Sequence, residues 1–458
     1  MEIPRIVISS NSSDSGKTLA TIGLLWLLRK KGYKAQPFKV GPDYIDPGYH
    51  TVASGAASRN LDSWIMEETT IKSSFTKASA GSDCAVIEGV RGLYEGASPL
   101  EETGSTAHIA KMLKAPVILV LDCMSITRSA AAYILGLKAF DKDVNIAGVI
   151  LNKVSDKRHE EKLKSAILHY TKTPVLGVIY RSPSFNLQKR HLGLLTVQEN
   201  IDALKIIESI GLSLQESLNL ESILSIMNTA PPIEAPEEER LFYSEVCDVK
   251  IGVFMDPAFT FYYPENIEAM NRYGAEVRKI NSLSDAEIGD DVSGIVIGGG
   301  YPEVFAQMLE ANSSLRKDIK KRSNDGMPII GECGGLMYLC NSIEFANSKK
   351  KMSGIFEGEI VIRDKPQALS YVLLESKAAN PVGDQGDMLK GHEFHYSEIQ
   401  GLKETNFVFK VLRGRGICNS MDGLLFNSTL GMYTHLHYLA YPKTANKFVA
   451  SCRSYMRR

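Results

Sequence analysis

Met327-Pro-Ile-Ile-Gly-Glu-Cys-Gly-Gly-Leu336 reads as a short buried strand, a sharp turn and the opening of a helix. The glycines Gly331, Gly334 and Gly335 let the backbone bend that tightly and let a ligand approach. A side chain at such a turn is lifted clear of the backbone. Amides that open a helix favour a thiolate and can hold a developing oxyanion. Cys333 is therefore a candidate nucleophile, although an isolated free cysteine is more often a small buried hydrophobe. Downstream, Gly431-Met-Tyr-Thr-His-Leu-His437 offers a base. A thiol elbow plus a distant histidine predicts acyl transfer through a thioester.

Working outward, the second half shows strands over Val249–Phe254, Ala275–Ile280 and Gly294–Ile297, with a helix over Pro264–Tyr273. Its last third is richer in strands. The first half alternates apolar runs with helical patterns. Strands are expected at Ile6–Ser9, Ala35–Lys39, Ala85–Glu88, Val117–Leu121, Ile146–Leu151 and Val175–Ile179. Helices are expected at Thr18–Lys31, Ser105–Lys114 and Arg158–His169. Continuous apolar strands joined by helices imply a parallel sheet covered on both faces. Between the halves, Thr229-Ala-Pro-Pro-Ile-Glu-Ala-Pro-Glu-Glu-Glu-Arg240 reads as an exposed linker. The expected division is a domain over 1–228, a linker over 229–247, a second domain over 248–445 and a tail over 446–458.

Ser10-Asn-Ser-Ser-Asp-Ser-Gly-Lys-Thr18 follows the first strand and opens a helix. Such a loop cradles phosphate on backbone amides. Ser15 and Gly16 lie in the cradle, Lys17 reaches the outer phosphates, and the Thr18 hydroxyl can hold Mg²⁺. The strict P-loop pattern wants a glycine at position 11, where this chain has asparagine. Carboxylates at strand ends complete such sites. Asp43 in Lys39-Val-Gly-Pro-Asp43, Glu88 before a glycine turn, and Asp122 are the candidates.

With 458 residues the chain is too long for a single core. Its 52 Lys and Arg against 53 Asp and Glu leave a net charge of −1, so no bulk charge draws it to nucleic acid or to an anionic membrane. Seven scattered cysteines without a C-x-x-C pair fit a reducing cytoplasm rather than a disulfide or zinc framework. No apolar run reaches the ~18 residues a bilayer span needs. The N-terminus runs directly into a strand, so no signal peptide is expected.

Several motifs share one resemblance: Lys39-Val-Gly-Pro-Asp-Tyr-Ile-Asp-Pro47, Arg59-Asn-Leu-Asp-Ser-Trp64, Arg190-His-Leu-Gly-Leu194, Phe261-Tyr-Tyr-Pro-Glu-Asn266, Gly298-Gly-Gly-Tyr-Pro-Glu303 and Gly391-His-Glu-Phe-His-Tyr396. In order and spacing they resemble the glutamine-dependent cobyrinate a,c-diamide synthase family and its close relative, the Ni-sirohydrochlorin a,c-diamide synthases. The resemblance implies an α/β fold: an N-terminal P-loop, dethiobiotin-synthetase-like parallel-sheet domain and a C-terminal class I glutamine amidotransferase-like domain. It implies ATP as co-substrate with Mg²⁺, glutamine as nitrogen donor and a tetrapyrrole polycarboxylate as acceptor, in cobalamin biosynthesis or on the nickel macrocycle. A homodimer is left open.

Residue by residue, the resemblance makes Cys333 the nucleophile and His435 the base. It places Gly299, Gly300 and Gly334 around the oxyanion and turn. Thr18, Asp43 and Glu88 are expected at the metal, and Lys39, Arg59 and Arg190 on substrate carboxylates. Two departures stand out. Ser10 replaces a family glycine before the loop, so a differently shaped loop is expected. Ordinary class I amidotransferases follow the histidine with H-x-E, whereas this chain has His437, a departure shared by the cobyrinate-type branch; the resemblance therefore implies a Cys/His dyad and leaves the orienting group open, with Glu393 or His395 as the candidates. Arg91 is an extra charge beside the loop, expected either on substrate or in water. A P-loop switch ATPase would have no use for a thiol elbow and a histidine.

Overall fold

The β-branched runs fold as strands and the helical patterns as covering helices. The computed structural model describes residues 1–182, 189–190, 193–200, 202–234, 247–403 and 405–458. Contacts divide the chain into two units, Met1–Glu238 and Glu239–Arg458.

The first unit runs β1 (Arg5–Ser10), α1 (Lys17–Lys30), β2 (Ala35–Val40), α2 (Ile45–Ser54), β3 (Arg59–Leu61), α3 (Glu68–Ala78), β4 (Cys84–Glu88), α4 (Thr106–Met112), β5 (Val117–Asp122), α5 (Ser129–Phe140), β6 (Ile146–Val154), α6 (Lys157–Thr171) and β7 (Val175–Tyr180). A short pair, β8 (Lys189–Arg190) and β9 (Gly193–Leu194), precedes α7 (Ala203–Gln215) and α8 (Leu220–Asn228). β1 to β7 form a parallel sheet in the order β3-β2-β4-β1-β5-β6-β7. Ile6, Ile8, Val86, Ile118, Val120 and Ile150 pack under α1 and α7. This order sets the C-terminal ends of β1, β2 and β4 side by side, with Glu88 level with Ile8 on one flank and with Lys39 on the other. The register alone thus brings a carboxylate and an ammonium beside the phosphate loop.

The second unit runs β10 (Val249–Phe254), α9 (Pro264–Arg272), β11 (Ala275–Ile280), β12 (Gly294–Ile297), α10 (Ala306–Ala311), α11 (Ser313–Asn324), β13 (Ile329–Glu332), α12 (Gly334–Leu339), β14 (Cys340–Phe345), β15 (Ser348–Lys351) and β16 (Phe356–Ile362). It continues through β17 (Ala368–Ser376), β18 (Met388–His395), β19 (Ser397–Gln400), β20 (Phe407–Arg413), β21 (Met421–Phe426), β22 (Thr429–Met432), β23 (His435–Leu436) and α13 (Pro442–Met456). The main sheet has the order β11-β10-β12-β13-β22-β21-β20-β17-β18-β23, parallel from β11 to β22 and antiparallel beyond. β22 and β23 are nearly consecutive in the chain yet sit at different places in that order. The chain therefore leaves one neighbour, β13, and at once pairs with β18, which puts His435 close to the end of β13. β14, β15, β16 and β19 make a smaller sheet.

Expected and observed elements differ mainly at their ends; β6 runs to Val154 rather than Leu151. Two boundaries need correction. The residues expected as a tail over 446–458 lie mostly in α13, whose Phe448, Val449 and Cys452 are buried in the core, because its apolar face has a sheet to cover. Likewise, 229–234 is not a free linker. The buried Arg5 guanidinium needs acceptors and takes the carbonyls of Leu113, Ile3 and Pro231 at 2.6, 2.9 and 2.6 Å. The Met1 amine donates to the Ile233 carbonyl at 2.7 Å. The rest of the expected linker, 235–246, lies outside the described residues.

Candidate active sites

In the first unit the loop between β1 and α1 is shaped by its neighbours. Positive φ falls on Asp14 (58°) and Gly16 (100°), while Ser10 stays within β1. The serine that replaces the family glycine is thus unstrained. Its hydroxyl donates to the Ser12 carbonyl at 2.6 Å and accepts from Lys17 Nζ at 3.0 Å. Gly16 is required twice over. Besides its φ, a Cβ there would lie 2.1 Å from Asn152 Nδ2. That amide, on β6, donates to the Ser15 carbonyl at 2.8 Å and clamps the loop. Ser15 Oγ in turn donates to the Ser12 carbonyl at 3.0 Å.

Lys17 folds back over the loop and also donates to the carbonyls of Ser12 and Arg91. Burial and the nearby Lys39 charge, partly offset by Glu88, lower its pKa to about 8. Arg91 contributes that carbonyl from a left-handed conformation (φ 50°), and its own side chain is exposed.

Thr18 Oγ1 donates to Glu88 Oε1 at 2.7 Å and to Asp46 Oδ2 at 3.3 Å. Lys39 Nζ lies 2.7 Å from Glu88 and 2.5 Å from Asp46. His50 Nε2 meets the other Glu88 oxygen at 2.6 Å. Burial alone would raise the Glu88 carboxyl, but Lys39 and His50 more than offset it and hold it below the ordinary carboxylate range. Burial opposes the Lys39 charge too, but the three carboxylates of Asp46, Glu88 and Asp43 hold its pKa above the usual lysine value.

The expected metal set changes accordingly. Asp43 turns its Oδ1 to the amides of Ile45 (2.8 Å) and Asp46 (3.2 Å) at the start of α2 and is 3.9 Å from Lys39. The carboxylate that reaches Thr18 is Asp46, one helical turn on, because α2 begins between the two. Asp122 is committed elsewhere, 2.5 Å from Lys153 Nζ. Lys39 is buried in this carboxylate cluster, so the expected grip on a macrocycle is not available to it. Arg59 sits at the start of the edge strand β3, level with Phe38. Arg190 is in β8, and its side chain lies outside the described residues. Asn152 and His50 were missed by sequence reasoning. His50 follows the Lys39–Pro47 motif closely, and a buried histidine on the helix behind a strand-end acid was the available signal.

The second unit builds a thiol site. Cys333 sits between β13 and α12 with φ 49° and ψ −98°, a strained conformation for a residue with a side chain. Its amide donates to the Met432 carbonyl at 2.8 Å, tying the elbow to β22. A Cβ on Gly335 would lie 2.1 Å from the Ile297 carbonyl oxygen, so only glycine lets α12 start this close to β12. A Cβ on Gly334 would lie 3.0 Å from the Gly300 amide nitrogen. Gly334 thus approaches the loop that carries Gly299 and Gly300 closely. Tyr262 holds their loop. It accepts from the Gly298 amide at 2.8 Å and donates to the Phe254 carbonyl.

His435 is buried. Its ring stacks on His392 at 4.8 Å and 15°, and a Cβ on Gly299 would lie 2.6 Å from its Cε1. Asp422, fully buried, accepts from the Tyr433 amide (3.1 Å), the Thr434 amide (3.1 Å) and the Thr434 hydroxyl (2.7 Å), which fixes the approach to His435. Burial alone would lower the His435 pKa. The Cys333 sulfur and the Glu332 carboxylate outweigh it and raise it to about 9. An imidazolium at neutral pH stabilises a neighbouring thiolate.

The groups expected to orient His435 do not. Glu393 accepts from Ser370 Oγ (3.0 Å) and the amides of Arg415 (2.5 Å) and Gly416 (3.0 Å). His395 holds the Ser397 carbonyl at 2.8 Å and stacks on Tyr433 at 3.6 Å. His437 turns to Glu265 of α9, at 3.9 Å. The carboxylate beside His435 belongs to Glu332, whose Oε2 is 3.5 Å from Nδ1. Its position next to the nucleophile was in plain view in the sequence; only the pairing of β13 with β22 reveals what it faces.

Among the described residues no cluster of three or more His, Cys, Asp or Glu is arranged to hold a metal ion, and no helix is long and apolar enough to cross a membrane. Residues 6–194 match the CobQ/CobB/MinD/ParA nucleotide binding domain, and residues 250–443 match the CobB/CobQ-like glutamine amidotransferase domain. The chain is 45% identical to a cobyrinate a,c-diamide synthase of Methanothermobacter thermautotrophicus, over 97% of this chain and 98% of that relative. Cobyrinate a,c-diamide synthases of Methanobrevibacter smithii (43% identical, 98% and 99% covered) and Archaeoglobus fulgidus (41% identical, 98% and 97% covered) are similar along their whole length.

Proposed function

The chain belongs to the cobyrinate a,c-diamide synthase family, and on that premise we propose that it converts the a and c acetate carboxylates of cobyrinate to carboxamides, using ATP and glutamine. The observation that carries this reading is the presence in one chain of two complementary devices. One is a clamped phosphate loop with Thr18 against Glu88, and the other is a strained thiol elbow in the same unit as a buried histidine paired with Glu332.

A carboxylate is a poor electrophile, because its charge repels a nucleophile and oxide is a poor leaving group. Transfer of the γ-phosphoryl group from ATP gives an acyl phosphate and ADP and removes both faults. Lys17, freed from its loop carbonyls, offers charge to the transferring group. The hydroxyl of Thr18 with the carboxylates of Glu88 and Asp46 is a hard oxygen set that suits Mg²⁺, which keeps waters and phosphates as its remaining ligands. That Lys39 already sits among these carboxylates supports a cation-accepting pocket. When bound, Mg²⁺ neutralises phosphate charge.

Glutamine hydrolysis follows from the elbow. The Cys333 thiolate bonds to the carboxamide carbon, and the amides of Gly300 and Gly334 hold the resulting oxyanion. His435 gives its proton to the departing ammonia, leaving a thioester. As a base it then activates the water that breaks the carbon–sulfur bond and releases glutamate. Ammonia bonds to the acyl carbon of the acyl phosphate, and phosphate leaves. Arg59 and Arg190 remain the cations proposed for the macrocycle's carboxylates. The seven cysteines are all free thiols among the described residues, which supports a reducing, cytoplasmic setting.

The test is turnover. Purified protein with ATP, Mg²⁺ and glutamine is given cobyrinate or Ni-sirohydrochlorin, and products are read by mass spectrometry. Conversion of cobyrinate to its a,c-diamide is expected. Amidation of the nickel macrocycle alone would reassign the substrate, and amidation of neither would end the reading.

A further inference from the structure

We propose that Glu332 is the positioning residue for His435, doing for this chain what a glutamate two places after the histidine does in ordinary class I amidotransferases. The inference rests on the reading of Cys333 and His435 as the glutaminase pair and adds a residue to it.

The geometry comes from two pairings. β13 lies parallel to β22, with Glu332 level with Met432, three residues before His435. β23 then turns to pair with β18, with His435 level with His392. The side chain of Glu332, 91% buried, is thereby enclosed with the imidazole. Its Oε2 lies 3.5 Å from His435 Nδ1, and its Oε1 accepts from the Leu436 amide at 3.3 Å. One carboxylate thus holds both the ring and the backbone beside it. An anion at Nδ1 keeps the proton on that nitrogen, turns Nε2 toward the chemistry and stabilises the imidazolium.

The competing groups around the ring are few. From β13 and its elbow come Glu332 and Cys333. From β18 comes His392, which burial and the neighbouring His435 and His437 keep well below the usual histidine value. Glu332 also faces the phenols of Tyr262 and Tyr438, both pushed above the ordinary tyrosine range, chiefly by burial. His437 is turned to Glu265. Among the described residues, Glu332 places a carboxylate within ion-pair distance of the His435 ring.

Glu332→Gln separates this role from a structural one, because glutamine keeps an oxygen for the Leu436 amide and loses only the charge. Glutamine-dependent synthesis should fall about 100-fold, while synthesis from ammonia stays at the wild-type rate. The alkaline limb of the glutamine-dependent rate, set by His435, should move about one pH unit lower, since an opposite charge that raises a histidine pKa is gone. Glu332→Asp keeps the charge on a shorter stem and should recover part of the rate and of the limb. If Glu332→Gln does not fold, as judged by near-UV circular dichroism, the limb of the aspartate variant carries the test. A wild-type rate and limb in Glu332→Gln, with loss only in Glu332→Asp, would show a mere brace for Leu436 and overturn the proposal. Cys333→Ala in parallel keeps the two readings apart. If it retains glutamine-dependent synthesis, the site assignment itself fails; if it is dead while Glu332→Gln is normal, only the role of Glu332 fails.

Discussion

The two sites solve opposite problems. The phosphate site of the first unit must accept negative charge, and it is prepared by balanced ions: Lys39 between Glu88 and Asp46, with His50 behind. The thiol site of the second unit must create negative charge on sulfur and then on oxygen. It is prepared by backbone strain at Cys333 and by a buried histidine whose pKa the Cys333 sulfur and Glu332 raise. In the first, side-chain electrostatics does the positioning and the loop backbone follows. In the second, the backbone aims the sulfur and a single carboxylate, Glu332, lies against the histidine. Removing a charge should therefore hurt the first site through stability and binding, whereas removing the elbow sulfur, or the charge of Glu332, should hurt the second mainly through chemistry.

The sharpest break of this contrast is Cys333→Ala. Glutamine-dependent synthesis should fall by roughly 10⁶-fold, with ammonia-dependent synthesis and melting temperature nearly unchanged. Loss of both nitrogen routes would mean that the two sites are not separable. Next is Lys17→Ala, expected to lower synthesis from either nitrogen source by roughly 10²–10³-fold while glutamate release continues. Persistence of synthesis would remove Lys17 from phosphoryl transfer.

Glu88→Gln should be costly for folding, because it strands Lys39 and His50 without their shared anion. A loss of about 3–5 kcal/mol is expected in denaturant unfolding of the first unit. A loss below about 1 kcal/mol would show that Asp46 alone balances the cluster. Gly16→Ala should cost about 1–3 kcal/mol and displace Asn152, seen as weaker ATP binding by calorimetry. The smallest effect concerns pH. The folded pKa of His435 is raised from 6.5 to about 9. Its stabilising contribution is therefore complete below pH 6.5 and is lost as pH rises through about 9. The melting temperature of the second unit should decline over that interval, and less so in Glu332→Gln. An equal decline in both would separate the histidine's charge from that carboxylate.

The elements that were legible were those with a local cause. Val249–Phe254 and Gly294–Ile297 are largely apolar runs, Ala275–Ile280 carries apolar residues at both ends with charges between, and each is a strand with those bounds. The helix after Gly16 and the elbow at Cys333 follow from glycine spacing. Other features required knowing neighbours distant in the chain. Asp43 and Asp46 look interchangeable along the chain, and only the start of α2 decides which faces Thr18. The last residues look like a tail until α13 has a sheet to cover.

By itself the sequence determined two α/β halves, the phosphate loop and the thiol nucleophile, because propensity, hydrophobic period and turn chemistry act over a few residues. Only the tertiary structure decided that Lys39 serves Glu88 and Asp46, that Asn152 clamps the loop, and that Glu332 faces His435. Those partners are set by strand order and register, which depend on long-range pairing. A charge buried by that pairing must find its counterpart wherever the register has put one.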